Sequence, residues 1–130
     1  MNNPDSTNQL TKDFDAISAI IQKYFDGLYQ GDVDLLSSIF HQDVWLKAPN
    51  KRRSLSEWLS DVSNRPTPAE QGAAFNFKLL SVDIVQNQAM VKIYCPLFEF
   101  QYIDFIGLLK EREEWLIVSK MYDDVEYLKN

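Results

Sequence analysis

Apolar residues recur at spacings of three and four along the first third of the chain. One stripe begins at Phe14 and continues through Ile17, Ile20, Ile21, Tyr24, Phe25 and Leu28. This spacing predicts an amphipathic helix of about four turns. Gly31 can end that helix in the left-handed conformation. Asp32 can then cap a second, short helix with a buried side of Val33, Leu35, Leu36, Ile39 and Phe40.

The middle of the chain holds short elements separated by breaks. His41-Gln42-Asp43 breaks the second helix, and residues 44–48 predict a short strand that Pro49-Asn50 ends. Ser54 and Glu57 match a capping box, which predicts a third helix from this point. Residues 63–74 contain two prolines and a glycine and show no periodicity. We expect a loop there, of a length often found in lids and binding loops.

The second half alternates apolar and polar positions, as strands do. Four strands are predicted over residues 75–86, 89–100, 102–110 and 115–122, with turns at residues 86–88 and 111–114. Gly107 within the third of these strands predicts a bulge or a close backbone approach. Helices followed by antiparallel strands indicate an α+β domain. We expect a flexible N-terminal tail over residues 1–12 and one domain over residues 13–130.

Two segments carry a resemblance to a known superfamily. One is the run Tyr24–Asp32, and the other is Asp-Phe-Ile-x-Leu-Leu-Lys from Asp104, followed after a turn by Trp-x-Ile-Val-x-Lys from Trp115. Over residues 13–122 the chain resembles the nuclear transport factor 2-like superfamily. Within it, the chain is most similar to the bacterial group labelled "putative lumazine-binding", close to the polyketide-cyclase-like (SnoaL-like) proteins.

The resemblance implies an architecture and a mode of association. In that superfamily a curved antiparallel sheet curls into a cone, packed against three N-terminal helices, in a cystatin-like fold. The cone encloses an apolar pocket, and many members form homodimers through the sheet. The fold hosts isomerases, dehydratases, cyclases and non-catalytic binding proteins, so the fold alone does not select a function.

Asp104 is the first candidate for chemistry because it lies among apolar and aromatic residues of a predicted strand. Burial raises the pKa of a carboxyl group, which suits a general acid or base near neutral pH. Relatives with isomerase or cyclase activity carry a catalytic Asp in a similar context. The other interpretation is an ion pair with Lys120. In one register of the last hairpin Asp104 faces Lys120, and in a register slipped by one residue it faces Met121.

Other residues extend the candidate site. Tyr24 lies on the apolar stripe, where its hydroxyl is either a pocket donor or a satisfied core group. His41 is either a helix-capping residue or a pocket acid–base group. We therefore name Asp104, Tyr24 and His41 as candidate catalytic residues. The candidate pocket lining is Tyr24, Leu28, Trp58, Tyr94, Tyr102, Ile106, Trp115 and Ile117.

A short basic run stands out in an acidic chain. Lys51-Arg52-Arg53 is either a grip for an anionic ligand or a solvated charge cluster. The chain has a net charge of −6, with 19 acidic and 13 basic residues. That balance argues against nucleic acid as a partner.

Composition narrows the chemistry further. The 130 residues include one Cys and one His, which exclude an internal disulfide, a Cys-cluster zinc site and a His-pair zinc motif. Neither a metal nor an organic cofactor is predicted. No apolar run approaches the roughly 20 residues that cross a bilayer, and residues 1–5 lack the features of a secretory signal. We expect a cytoplasmic protein without a membrane partner.

Two functions from different classes follow. The first is a non-catalytic homodimer that binds a small organic molecule in an apolar pocket. The second is a cofactor-independent isomerase, dehydratase or cyclase in which Asp104 moves a proton beside a carbonyl group and Tyr24 or Tyr94 donates to the oxyanion. The dehydratase form is disfavoured because dehydratase-like relatives use more than one His, and this chain has one.

Overall fold

The computed structural model describes residues 4–125, with the side chains of residues 4–6 outside that description. These residues form three helices and six strands. In chain order they are α1 (Pro4–Gln30), α2 (Val33–Ile39), β1 (Phe40–Ala48), β2 (Lys51–Ser54), α3 (Leu55–Ser63), β3 (Lys78–Val85), β4 (Gln88–Leu97), β5 (Phe100–Glu111) and β6 (Glu114–Asp124).

The strands form one curved, unclosed sheet in the order β2-β1-β6-β5-β4-β3 within the described residues. Neighbouring strands are antiparallel except β1 and β6, which run parallel. The three helices pack on the inner face of the sheet, where the buried side chains form one core. This confirms the predicted α+β class with a curved sheet against three N-terminal helices.

Local sequence signals set the helix boundaries near the site. Gly31 follows α1 with a φ of +66°, and a Cβ at this position would lie 2.5 Å from Thr67 Cγ2. Glycine relieves both constraints at once. Ser54 caps α3 through the predicted capping box, with its hydroxyl accepting from Glu57 N–H at 3.2 Å. This cap fixes the start of the helix that presents Trp58 to the interior.

Three boundaries differ from the sequence predictions. Residues 4–12, predicted as part of a flexible tail, are the first turns of α1, while residues 1–3 lie outside the described residues. Asp13 anchors these turns because Lys110 and the Trp115 indole donate to its carboxylate at 3.0 and 3.1 Å. The predicted break at residues 41–43 belongs to β1, and residues 51–54 form a strand that the sequence analysis did not predict.

A bulge in β6 changes which residues face inward. Gly107 pairs with Ser119, but the next residue, Leu108, pairs with Ile117, so Val118 is the extra residue. The predicted irregularity at Gly107 is therefore confirmed. Because one extra residue reverses the alternation of a strand, Ile117 faces inward on one side of the bulge and Lys120 on the other. The bulge places Lys120 in the interior.

Candidate functional site

A small interior cavity lies at one end of the curved sheet. Its volume is about 40 Å³, which is room for a few water molecules and too little for an organic ring. Polar groups dominate the lining, whereas the resemblance implied an apolar pocket. The lining residues are Tyr24, Leu28, Arg53, Trp58, Arg65, Cys95, Leu97, Tyr102, Asp104, Lys120 and Tyr122. We refer to this space as the cavity.

Asp104 points into the cavity and is 2% exposed. The Tyr24 hydroxyl donates to Asp104 Oδ2 at 3.2 Å, and Lys120 Nζ lies 3.9 Å from the same oxygen. Asp104 Oδ1 is buried and has no hydrogen-bond partner within the described chain. Burial raises the pKa of Asp104, although the Lys120 charge, the Tyr24 hydroxyl and the nearby Cys95 thiol oppose that shift. Oδ1 can therefore accept a hydrogen bond from a donor that enters the cavity.

The two interpretations of Asp104 prove compatible. Asp104 pairs across the hairpin with Tyr122, one residue beyond the Met121 register and two beyond the Lys120 register. The bulge causes this difference. Asp104 faces inward, as the pocket interpretation required, and it also lies beside Lys120, as the ion-pair interpretation required.

Lys120 is enclosed by aromatic rings. Its ammonium nitrogen lies 4.5 Å from the Trp58 ring centroid, 5.1 Å from that of Tyr24 and 4.9 Å from that of Tyr122. The residue is 5% exposed. Burial lowers the pKa of Lys120 to about 8, against the opposing effect of Asp104. A fraction of this lysine is therefore a neutral amine near neutral pH.

Tyrosine and cysteine neighbours stay protonated near neutral pH. Burial and the Asp104 charge raise the pKa of Tyr24 well above its ordinary value. Burial also raises the pKa values of Cys95 and Tyr102. Tyr24 and Tyr102 are thus hydroxyl donors, and Cys95 is a buried neutral thiol rather than a nucleophile.

A wider space adjoins the cavity and shares Arg53, Arg65, Tyr102 and Tyr122 with it. This space, which we call the mouth, has a volume of about 310 Å³. Ligand sites of small molecules typically begin at about 300 Å³. The rest of its lining comes from the ends of the strands: Ala48, Pro49, Lys51, Phe100, Asp123 and Asp124.

The two arginines of the mouth differ in their partners. Arg53 donates to Asp61 Oδ2 at 2.9 Å and also donates to the Tyr122 hydroxyl, while its buried Nε has no partner among residues 4–125. Arg65 forms no ion pair within the described residues, and its guanidinium lies 5.5 Å from the Phe98 ring centroid. Burial lowers the pKa of Arg65. Arg65 is therefore an uncompensated cation at the entrance to the cavity.

The structure brings together some of the residues that the sequence analysis named. Tyr24, Leu28, Trp58, Tyr102 and Asp104 all line the cavity. Ile106 and Ile117 are buried in the core on the inner face but lie away from the cavity lining. Trp115 belongs to the other end of the sheet, where its indole bonds to Asp13.

Two further named residues, His41 and Tyr94, lie outside the cavity lining. His41 is on β1 and contacts a neighbouring carboxylate, with Nδ1 2.6 Å from Asp43 Oδ1. It neither caps α2 nor reaches the cavity. Tyr94 lies between the inward residues Ile93 and Cys95, so the strand alternation turns it to the outer face, where its hydroxyl bonds to Gln101.

Two arginines that line the cavity, Arg53 and Arg65, were not among the predicted site residues. Arg53 belonged to a basic run predicted in a loop, and only its pairing with Leu46 in a strand turns it inward. Arg65 lies in a segment without periodicity, so no sequence signal identified it. Among residues 4–125, no group of three or more His, Cys, Asp or Glu side chains could hold a metal ion. Within the same residues, no helix is both long and apolar enough to cross a membrane.

Comparison with known proteins agrees with this architecture. A family model described as "Putative lumazine-binding" matches residues 12–123. The chain belongs to this family. No curated protein matches the chain.

Solved structures similar to this member of the family share its fold. A nuclear transport factor 2-like protein of unknown function from Shewanella baltica is 23% identical, with a TM-score of 0.73, over 87% of this chain and 94% of that one. Another from Silicibacter pomeroyi is 20% identical, with a TM-score of 0.72, over 88% and 98%. A third, from Novosphingobium aromaticivorans, has a cystatin-like fold, 11% identity and a TM-score of 0.72 over 97% and 92%.

Proposed function

We propose that this protein binds a small organic anion, which enters through the mouth and directs its charged group at Arg65. The supporting observation is a half-buried guanidinium that has no ion pair within the described residues and lines both the mouth and the cavity. Charge-assisted hydrogen bonds between a guanidinium and a carboxylate are among the strongest polar contacts in proteins. An anion would supply the ion-pair partner that Arg65 lacks among residues 4–125, in a mouth whose lining also includes the Asp123 and Asp124 carboxylates.

The aromatic residues of the mouth favour a flat ligand. Phe100, Tyr102 and Tyr122 present ring surfaces beside the two arginines. The volume of about 310 Å³ accommodates one small ring system, whereas the cavity beneath admits only a small substituent. A hydrogen-bond donor on that substituent would satisfy Asp104 Oδ1. We therefore expect an aromatic or heteroaromatic acid.

Calorimetric titration with benzoate and with the neutral analogue benzamide tests this function. Benzoate should bind more tightly than benzamide, and Arg65→Gln should weaken benzoate binding by about tenfold or more, because a charge-assisted hydrogen bond is lost. Arg52→Gln is the matched control, since Arg52 donates to the Ala48 and Lys51 carbonyl oxygens and does not line the mouth. Equal binding of benzoate and benzamide, or equal loss in both variants, would contradict the proposal.

One observation favours the catalytic alternative. Asp104 faces the cavity with an unpartnered oxygen and a raised pKa, as a proton-transfer group would. Its other oxygen, however, is already held by Tyr24 and Lys120. One oxygen of this carboxylate therefore already has partners before a substrate binds. For this reason we favour ligand binding over catalysis.

A further inference from the structure

We propose that Lys120 is a reactive amine that condenses reversibly with an aldehyde or ketone group of a molecule in the cavity. This inference adds a carbonyl group to the chemistry expected of the ligand. It rests on the proposed function because the anion and the carbonyl compound would both enter through the mouth. Its geometric basis is independent of Arg65. The ammonium nitrogen faces the cavity, is caged by three rings and lies 3.9 Å from Asp104.

Stability alone does not account for a lysine at this position. Moving an ammonium group into the interior is unfavourable even after relaxation, and a buried ion pair often fails to recover that cost. The three aromatic rings around the nitrogen recover a part of it. The nitrogen of Lys120 is also 3.9 Å from its carboxylate, beyond good hydrogen-bond distance. The Asp104–Lys120 pair is thus loosely joined, and the amine can turn toward a molecule in the cavity.

The proposed step balances without a redox partner. The neutral amine of Lys120 attacks the carbonyl carbon, and the C=O electron pair moves to oxygen as the C–N bond forms. The oxygen gains a proton and the nitrogen loses one, which gives a carbinolamine. Departure of the hydroxyl group as water, after a second protonation, leaves a protonated imine. The net change is a carbonyl compound plus protonated Lys120 giving an iminium ion plus water.

Asp104 is placed to serve this step. Burial raises its pKa and its Oδ1 faces the cavity, so this carboxyl group is positioned to relay a proton to the departing hydroxyl. The Tyr24 hydroxyl orients the same carboxyl group through Oδ2 and stays protonated because its own pKa is raised. Trp58 and Tyr122 shield the nitrogen and keep the site poor in water, which favours loss of water over reversal.

The groups around Lys120 set its proton affinity. Its neighbour on β1 is the apolar Leu46. The polar, charged and aromatic side chains that line the cavity with it are Tyr24 of α1, Arg53 of β2, Trp58 of α3, Arg65 after α3, Cys95 of β4, Tyr102 and Asp104 of β5, and Tyr122 of β6. The two arginines and burial favour the neutral amine, while Asp104 favours the ammonium form. The balance gives a pKa of about 8, which an exposed lysine does not have.

Reductive trapping of the full chain with propanal and cyanoborohydride tests the inference, with peptide mass spectrometry as the readout. At about pH 7.5, Lys120 should be labelled about tenfold or more faster than the exposed Lys23, because the lowered pKa of Lys120 leaves part of its amine neutral. The labelling rate of Lys120 should rise up to about pH 8 and level off above it. Labelling of Lys23 at the same rate as Lys120, or no labelling of Lys120 across this pH range, would overturn the inference.

The same experiment separates this inference from the proposed function. Propanal carries no anionic group, so its trapping does not depend on anion recognition. Trapping of Lys120 without benzoate binding would reject the anion site and retain the amine. Benzoate binding without trapping would do the reverse.

Discussion

At the residue scale, the interior cations determine what the site can do. Asp104 supplies one negative charge to a cavity whose wall also contains Lys120, Arg53 and Arg65. Arg53 has its own partner in Asp61. The cavity wall thus has an excess of positive charge although the whole chain carries a charge of −6, whereas the mouth lining includes the carboxylates of Asp123 and Asp124 as well as basic residues. The charged group of an anion is therefore expected beside the arginines, where the mouth meets the cavity.

Stability should depend on pH through Lys120. Its pKa is 10.5 in an unfolded chain and about 8 in the folded protein. Between these values the unfolded chain holds a proton that the folded protein lacks, so the free energy of unfolding rises with pH. Relative to Asp104→Asn/Lys120→Met, the unmodified protein should gain on the order of 2 kcal/mol between about pH 7.5 and about pH 9.5.

Urea denaturation of both proteins at the two pH values measures this difference. The double variant removes both titrating groups, so other pH effects cancel in the comparison. The raised pKa of Asp104 acts in the opposite direction, since its contribution to stability is lost as pH rises through the pKa of the folded state. Parallel pH profiles for the two proteins would show that Lys120 has an ordinary pKa.

At the element scale, the sequence predicted those parts of the fold that rest on local physics. The apolar stripe of α1, the capping box at Ser54 and the irregularity at Gly107 all have local signals, and each is present in the structure. The start of α1 and the strand over residues 51–54 depend on distant partners. Asp13 bonds to Trp115, and Arg53 pairs with Leu46.

The candidate site was predictable to a similar extent. Asp104 and Tyr24 were identifiable because a carboxylate in an apolar strand and a tyrosine on an apolar stripe are unusual combinations. The position of Lys120 was not, because one bulged residue decides which face a strand residue occupies. Tyr94 was predicted to line the pocket but lies on the outer face of β4. The sequence did not show which of the two alternating sets of side chains in this strand faces inward.

At the scale of the whole molecule, the outer face of the sheet is unusually apolar. Four residues on this face of four neighbouring strands are 43–48% exposed: Trp45, Met90, Phe105 and Met121. Phe105 and Met121 pair directly across β5 and β6. Contiguous exposed patches of this kind commonly mark protein interfaces. We propose that two copies associate through this face, as the family resemblance implied.

Substitution of the outer face should change the oligomeric state. Phe105→Glu should convert a dimer into a monomer, because it places a charge at the centre of the apolar patch. Leu10→Glu is the control, since Leu10 is 53% exposed on α1, away from the sheet's outer face. Analytical ultracentrifugation at several concentrations distinguishes the outcomes. A monomeric unmodified protein, or dissociation by the Leu10 substitution as well, would reject an interface on this face.

A pH titration of the Lys120 ε-carbon signal by nuclear magnetic resonance, with and without saturating benzoate, tests the state of Lys120 and the anion site together. The signal is assigned from its absence in Lys120→Arg. Because burial lowers the pKa of Lys120, we expect a midpoint at about pH 8 in the free protein. Benzoate should raise that midpoint by roughly one unit, because an anion in the mouth stabilises the ammonium form. A midpoint near that of an exposed lysine would contradict the lowered pKa of Lys120. A midpoint that benzoate leaves unchanged would contradict the anion site.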